Sequence, residues 1–253
     1  MLKAMIQSSP FYPAVRSIYR AVFKPEQVAA TARMGAFYAQ FFQPGEVVFD
    51  VGANQGEYAE CFAREGGRVI AIEPNVAHRT RLEALAKFLP ITPAYVAISD
   101  RPGVATLNIS STSGYSTLAD TNSAWMAESP DYATAEWIGS AEVRTVTLDD
   151  VAAQYGQASF VKIDIEGHEL AALRGMSFRP RYLSFEYSVH RKELGLACIE
   201  HLNARGYRFR PIDGRDFRFS NPDWMLGEEA SAWLRARTIA KGEYGDLFAC
   251  RWP

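Results

Sequence analysis

The stretch Val47-Val48-Phe49-Asp50-Val51-Gly52-Ala53-Asn54-Gln55-Gly56-Glu57-Tyr58 constrains the fold of this chain more than any other. Val47, Val48, Phe49 and Val51 are β-branched or aromatic, as a buried strand requires. Gly52 and Gly56 bracket Ala53-Asn54-Gln55, a turn with so little bulk that a ligand can approach its backbone. The residues from Glu57 onward read as a helix, whose free N–H groups and positive dipole end face that ligand. A strand, a tight turn and a helix N-terminus in this order form the nucleotide corner of an open α/β sheet.

Strand and helix patterns then alternate. Tyr58, Cys61 and Phe62 give helical spacing over Glu57 to Glu65, closed by Gly66-Gly67. Arg68 to Ile72 is a second buried strand. It ends in Glu73-Pro74-Asn75, with Asn75 placed to cap a helix over Val76 to Leu89. A third strand is centred on Tyr95-Val96-Ala97-Ile98, followed by Ser99-Asp100. The alternation breaks at the turn Arg101-Pro102-Gly103. Val104 to Ile109 and Glu142 to Leu148 read as an outgoing and a returning strand. Between them lies an excursion of about thirty residues, a length at which loops tend to be functional, so residues 110–142 are expected to form a lid. Asp149 to Tyr155 is a short helix, Phe160 to Ile165 a strand, His168 to Arg174 a helix, Arg181 to Phe185 a strand and Lys192 to Arg205 a helix. Tyr207 to Arg210 and Asp246 to Cys250 close the chain as a strand pair without a full crossover. The pattern predicts a mostly parallel sheet with helices on both faces and one antiparallel member.

Ahead of this, residues 11–42 are rich in aromatics. Val15, Ile18, Tyr19 and Val22 follow helical spacing, and Pro25 separates a second helix over Glu26 to Phe42. Residues 1–44 are therefore expected to be a helical cap, and 45–253 the ligand-binding domain. The cap would suit a homodimer contact.

The formal net charge of −2, with no basic stripe, makes nucleic acid a poor first choice of partner. Cys61, Cys198 and Cys250 form no CxxC pair, which argues against structural zinc and fits a reducing compartment. Residues 1–10 lack the apolar core of a secretory signal, and no apolar run approaches the ~20 residues of a membrane span. The expectation is a cytoplasmic protein without a transmembrane segment.

The acids and glycines narrow the ligand. A dinucleotide site would show GxGxxG, and a P-loop would show GxxxxGK[ST]; neither is present. Asp50 beside the turn would repel a pyrophosphate and attract an ammonium or sulfonium group. Glu73, about twenty residues beyond Gly52, stands where a carboxylate accepts both hydroxyls of a ribose. Together these select S-adenosylmethionine over NAD. Asp50 could instead cap backbone N–H groups, and Asp100 could simply open the turn at Pro102-Gly103.

Asp50-Val51-Gly52-Ala53-Asn54-Gln55-Gly56, Glu73-Pro74-Asn75, Ala97-Ile98-Ser99-Asp100 and Lys162-Ile163-Asp164-Ile165-Glu166-Gly167-His168-Glu169 with Leu173-Arg174-Gly175 resemble the FkbM family of class I S-adenosylmethionine-dependent methyltransferases. The resemblance covers roughly residues 45–212. It implies a Rossmann-like, seven-stranded class I sheet and methyl transfer, usually to a hydroxyl oxygen of a small molecule or glycan. It also implies Asp50, Gly52, Asn54 and Gly56 around the methionine tail, Glu73 on the ribose, and Ala97 and Asp100 near adenine.

Ligands in open sheets lie beyond the carboxyl ends of strands, where Asp164, Glu166, His168, Glu186 and His190 fall. Asp164 is the first choice for contact with cofactor or acceptor. Glu186 is the better base or orienting group, and His168 an alternative base. Asp164 and Glu186 could supply two oxygens to a divalent cation, but no third ligand is evident, and no metal is assigned. Tyr115, Ser116, Trp125, Tyr132 and Trp137 in the excursion could stack on a sugar or pack the lid itself. The expected activity is O-methylation of a sugar, glycoconjugate or other small molecule; N-methylation and a non-catalytic cofactor-binding partner protein are the alternatives.

Overall fold

The structure is a computed structural model and describes residues 25–251 except 113, 122–123, 130–131, 133–134 and 239–243. The first expected helix lies outside the described residues.

Val47–Val51 (β1) and Phe160–Ile163 (β7) are buried along their whole length, as strands covered on both faces must be. They pair in parallel at the sheet centre. Arg68–Ile72 (β2) and Ile91–Ala94 (β3) continue the sheet on one side of β1. Tyr182–Ser188 (β8), Tyr244–Arg251 (β10) and Tyr207–Pro211 (β9) continue it beyond β7. The order is β3-β2-β1-β7-β8-β10-β9, with β10 antiparallel to both neighbours. This is the seven-stranded sheet with one antiparallel member that the motifs implied.

Alternate strand residues feed two cores. Phe49, Val51, Val161, Ile163, Leu183 and Phe185 face Leu148–Tyr155 (α5), Glu169–Arg174 (α6), Lys192–Asn203 (α7) and Gly227–Arg235 (α8). Val48, Val69, Ala71, Phe160 and Phe248 face Pro25–Tyr38 (α1), Glu57–Arg64 (α2) and Arg79–Ala86 (α3). The second core is aromatic: Phe41 stacks on Phe248 at 4.8 Å and on Phe160 at 5.3 Å, and Tyr38 meets Phe62 edge-on at 4.9 Å. Such pairs add about 0.5–1.5 kcal/mol each beyond burial. The apolar side chains near the end of α1 are therefore core for the sheet.

The expected third strand is displaced. β3 is Ile91-Thr92-Pro93-Ala94, whereas Ala97–Ile98 (β4) leaves the main sheet and pairs in parallel with Thr145–Val146. Pro93 explains the error, because a proline argues against a central strand but is tolerated at a sheet edge, and β3 is the edge. Gly103–Ser110 (β5) and Trp137–Val146 (β6) pair antiparallel and form, with β4, a second sheet of order β4-β6-β5. β6 begins five residues before the Glu142 expected from alternation, so the excursion between the arms is 111–136. Ala124–Glu128 (α4) is a short helix within it. Asn75 caps a 3-10 turn, Val76–His78, by accepting from the Ala77 N–H at 3.0 Å. Thr147 and Asp150 form a capping box on α5. No helix among the described residues is long and apolar enough to cross a membrane.

The turn after β1 is held by the ends of its neighbours. Gly52 and Ala53 donate to the Ile72 carbonyl at 2.9 and 3.0 Å, and Asp164 N–H donates to the Val51 carbonyl at 2.9 Å. Gly52 has φ +86°, and a Cβ there would stand 1.8 Å from the Asp164 carbonyl oxygen. Only glycine lets β1 and β7 end this close. Gly52→Ala should cost about 3 kcal/mol, from the left-handed φ and the clash together. It would be read as a lower urea midpoint; an unchanged midpoint would contradict this packing.

Candidate active site

A cavity of about 620 Å³ opens at the carboxyl ends of β1, β2 and β7. That is within the range of ligand pockets, about 300–1,000 Å³. The turn supplies Gly52, Ala53, Asn54 and Gln55 to its wall, β2 ends there with Glu73, and β4 supplies Ala97 and Ile98. Asp164, Glu166 and His168 line it from the end of β7. Leu107, Gly114, Ser116, Thr117 and Leu118 reach over it from the hairpin and the excursion.

Glu73 is built into the turn. One carboxylate oxygen accepts from the Asn54 N–H at 2.8 Å and the other from the Asn75 N–H at 2.7 Å. Each oxygen retains a lone pair for a further donor from the cavity. Burial raises this carboxyl to about 7, against the two backbone N–H groups that favour its charge. Asn54 itself has φ +49°, a left-handed conformation that asparagine tolerates.

Asp50 lies beneath the turn and off the cavity wall. It is 1% exposed, its Oδ2 has no hydrogen-bond partner, and burial pushes its carboxyl up to about 7, opposed by the charge of Lys162. Gly56 also lies off the wall; it starts α2 at φ +79° and packs against Leu82 and Leu85 of α3. Asp100 is exposed outside the cavity and accepts from Ser99 Oγ at 3.3 Å. His168 is nearer: its Nε2 lies 3.1 Å from the same Ser99 Oγ, close to Ala97 and Ile98. Burial lowers the His168 imidazole against the pull of Glu169 and Asp100.

The acids after β7 and β8 divide into two ionic groups. Asp164 is paired inward: Lys162 Nζ donates to its Oδ2 at 2.8 Å. Glu166 and Glu186 are paired with Arg191, whose Nη2 contacts both carboxylates. Burial raises both carboxyls, Glu166 to about 7, helped by the charge of Asp164 on Glu166 and of Glu166 on Glu186, while Arg191 opposes the rise. Glu186 stands behind Glu166 and does not line the cavity. His190 is likewise outside the lining. Oxygens of Asp164, Glu166 and Glu186 converge within 4.8 Å, a distance that suits a cation. Two side-chain cations, Lys162 and Arg191, already meet these three carboxylates.

The same ion pairs hold the excursion. Tyr132 donates from its hydroxyl to the Glu166 carboxylate, and Thr117 Oγ1 donates to the Glu166 carbonyl at 2.6 Å. Arg191 lies over the Trp125 ring at 4.9 Å, and Tyr132 packs between Tyr115 and Trp125. These aromatics pack on one another and on Arg191; none lines the cavity. Glu166 has φ +56°, followed by Gly167 at φ +105°. Glu169 braces this turn by accepting from the Ile165 and Gly167 N–H groups at 3.2 and 3.1 Å.

From the sequence alone, no individual site role falls to Lys162, Glu169, Arg191 or Tyr58, the last of which lines the cavity. A lysine inside an apolar strand two residues before an acid is the signal that would have found the first, since both then share a face. Arg191 offers no such local signal, because its partners lie on other elements.

Among solved structures, similar ones include precorrin-6y C5,15-methyltransferase from Geobacter metallireducens GS-15, at 14% identity with 87% of each chain covered and a TM-score of 0.44. Another is magnesium protoporphyrin IX methyltransferase from Synechocystis PCC 6803, solved with bound SAH, at 15% identity with 90% of this chain and 83% of that one covered and a TM-score of 0.41. No curated protein matches the sequence. The family model of the methyltransferase FkbM domain matches residues 50–209, which include the turn, Glu73 and the acids after β7. The chain belongs to the FkbM methyltransferase family.

Proposed function

We propose that this protein transfers a methyl group from S-adenosylmethionine to a hydroxyl oxygen of a sugar, a glycoconjugate or another small molecule. The observation that carries the reading is Glu73: a carboxylate fixed by two backbone N–H groups on the cavity wall, beside a glycine turn and a long pocket. It fits the vicinal hydroxyls of a ribose. With the ribose there, the turn at Gly52 to Asn54 receives the amino-acid tail, and Ala97, Ile98 and His168 border the adenine. Asp50 and Gly56 support the turn from below, and Asp100 stands at the outer margin of the adenine end. When bound, the sulfonium supplies an already activated methyl group.

The remaining work falls to the chain. Leu107, Leu118 and Thr117 shield the cavity from water, which strengthens the electrostatics inside. Asp164, 29% exposed at its side chain and on the wall, orients the acceptor hydroxyl and takes its proton as the O–CH3 bond forms and the S–CH3 bond breaks. Glu166 and Glu186 keep the roof in place through Arg191 and Tyr132.

Calorimetric titration with S-adenosylmethionine tests the cofactor assignment. The wild type should bind, and Glu73→Ala should weaken binding by about 10- to 100-fold, the range for hydrogen bonds to a charged group. No binding by folded wild-type protein would contradict the reading. Because a carboxylate accepting hydroxyls is favoured in its charged form, binding should weaken as pH falls through 7, by roughly tenfold between pH 7.5 and 5.5. Glu73→Gln should flatten most of that dependence.

Radiolabelled methyl transfer to a panel of saccharides and small alcohols tests the reaction. Asp164→Asn should lower turnover by about 100-fold or more on an accepted substrate. Turnover equal to wild type would remove Asp164 from the chemistry. Since Lys162 and Arg191 already meet the clustered carboxylates, chelation with EDTA should leave turnover unchanged; loss restored by magnesium would contradict that charge assignment.

A further inference from the structure

Lys162 is in the middle of the central strand β7, between Asp50 of β1 and Ser184 of β8 in register, and is 1% exposed. Its ammonium is met from three elements. Asp164 Oδ2 lies at 2.8 Å, Asp246 Oδ1 of β10 at 3.7 Å, and the ring centroid of Tyr58 of α2 at 4.2 Å. Asp246 in turn accepts from the Tyr38 hydroxyl of α1 at 3.3 Å. Only one member of this set combines a place on the cavity wall with direct contact to the ammonium as its carboxylate partner, and that is Asp164. A lysine here is costly for the fold, because its surroundings are the aromatic core of Phe160, Phe248 and Tyr38, and an apolar side chain of similar volume often serves stability as well or better.

We propose that Lys162 is a positioning residue for the reaction. It grips Oδ2 of Asp164 from inside the fold, so that the other carboxylate oxygen is presented to the reacting centre. Asp246 and Tyr38 hold the ammonium from behind, so the setting of Asp164 depends on α1. This rests on the proposed cofactor site, and in particular on Asp164 standing at the methyl group.

The test needs no acceptor. Sinefungin carries an amine where the transferred methyl would be, and S-adenosylhomocysteine carries nothing there. If Asp164 faces the reacting centre, wild-type protein should bind sinefungin about tenfold or more tighter than S-adenosylhomocysteine in calorimetry, and Asp164→Asn should lose that preference. Lys162→Met should lose the preference to the same extent while its affinity for S-adenosylhomocysteine stays within about twofold of wild type. Lys162→Met/Asp246→Asn, which leaves no charged Asp246 facing the gap, provides a second variant should the single one fold poorly. A variant at Lys162 that binds both ligands as the wild type does would overturn the proposal, with the cofactor site intact. So would loss of S-adenosylhomocysteine binding in the folded double variant, since Lys162 would then support the pocket as a whole. A wild type with no preference, or an Asp164→Asn variant that keeps it, would instead overturn the placement of Asp164 and the proposal with it. Failure of the wild type to bind either ligand would remove the cofactor site itself.

Discussion

One buried positive charge ties the layers of this protein to its cavity. Lys162 is met by Asp164 just after β7, by Asp246 of β10 and by Tyr58 of α2, and through Asp246 it reaches α1. Burial alone would discharge a lysine, yet Asp164, Asp246 and the Tyr58 ring raise its pKa well above the usual value. The ammonium therefore stays charged inside the aromatic core. That charge also reaches Asp50, its neighbour in register on β1. With an unpartnered Oδ2 and almost no exposure, its main electrostatic relief is Lys162.

Above this layer, backbone sets the position of the turn that walls the cavity. Gly52 allows the turn after β1 to lie on the Asp164 carbonyl, and Glu73 fastens the same turn from β2. The result is a groove whose floor is made of strand ends and whose roof includes Leu107, Gly114, Ser116, Thr117 and Leu118. The roof is attached at Glu166, where a left-handed residue and its glycine neighbour turn the chain between Asp164 and α6. Arg191 completes the attachment by serving two carboxylates and the Trp125 ring at once. The cavity wall and the roof thus share one short segment, residues 164–169.

Much of this was legible in the residues, for physical reasons that also explain the gaps. Buried parallel strands carry long apolar runs, so β1, β2 and β7 could be read directly, and Gly52 with Glu73 marked the cavity before any geometry was known. β3 was misplaced because Pro93 is excluded from strand interiors except at an edge, and edge position is a property of the sheet. β4 was assigned to the wrong sheet because two residues carry no period. Glu186 attracted attention as an acid at a strand end, but which way it faces depends on Arg191, which arrives from the following turn. Trp125 and Tyr132 looked equally suited to stacking on a ligand or on the protein, and the choice was made by Arg191 as well. Long-range partners of this kind leave no local periodicity to detect.

The central claim is that the cavity at the ends of β1, β2 and β7 holds S-adenosylmethionine with its reacting end at Asp164. A crystal structure of the protein with S-adenosylhomocysteine tests it most directly. The ribose hydroxyls should lie on the Glu73 carboxylate, the adenine beside Ala97, Ile98 and His168, and the thioether sulfur should turn toward Asp164. A nucleoside bound elsewhere, or in this cavity with its sulfur at the His168 end, would contradict it.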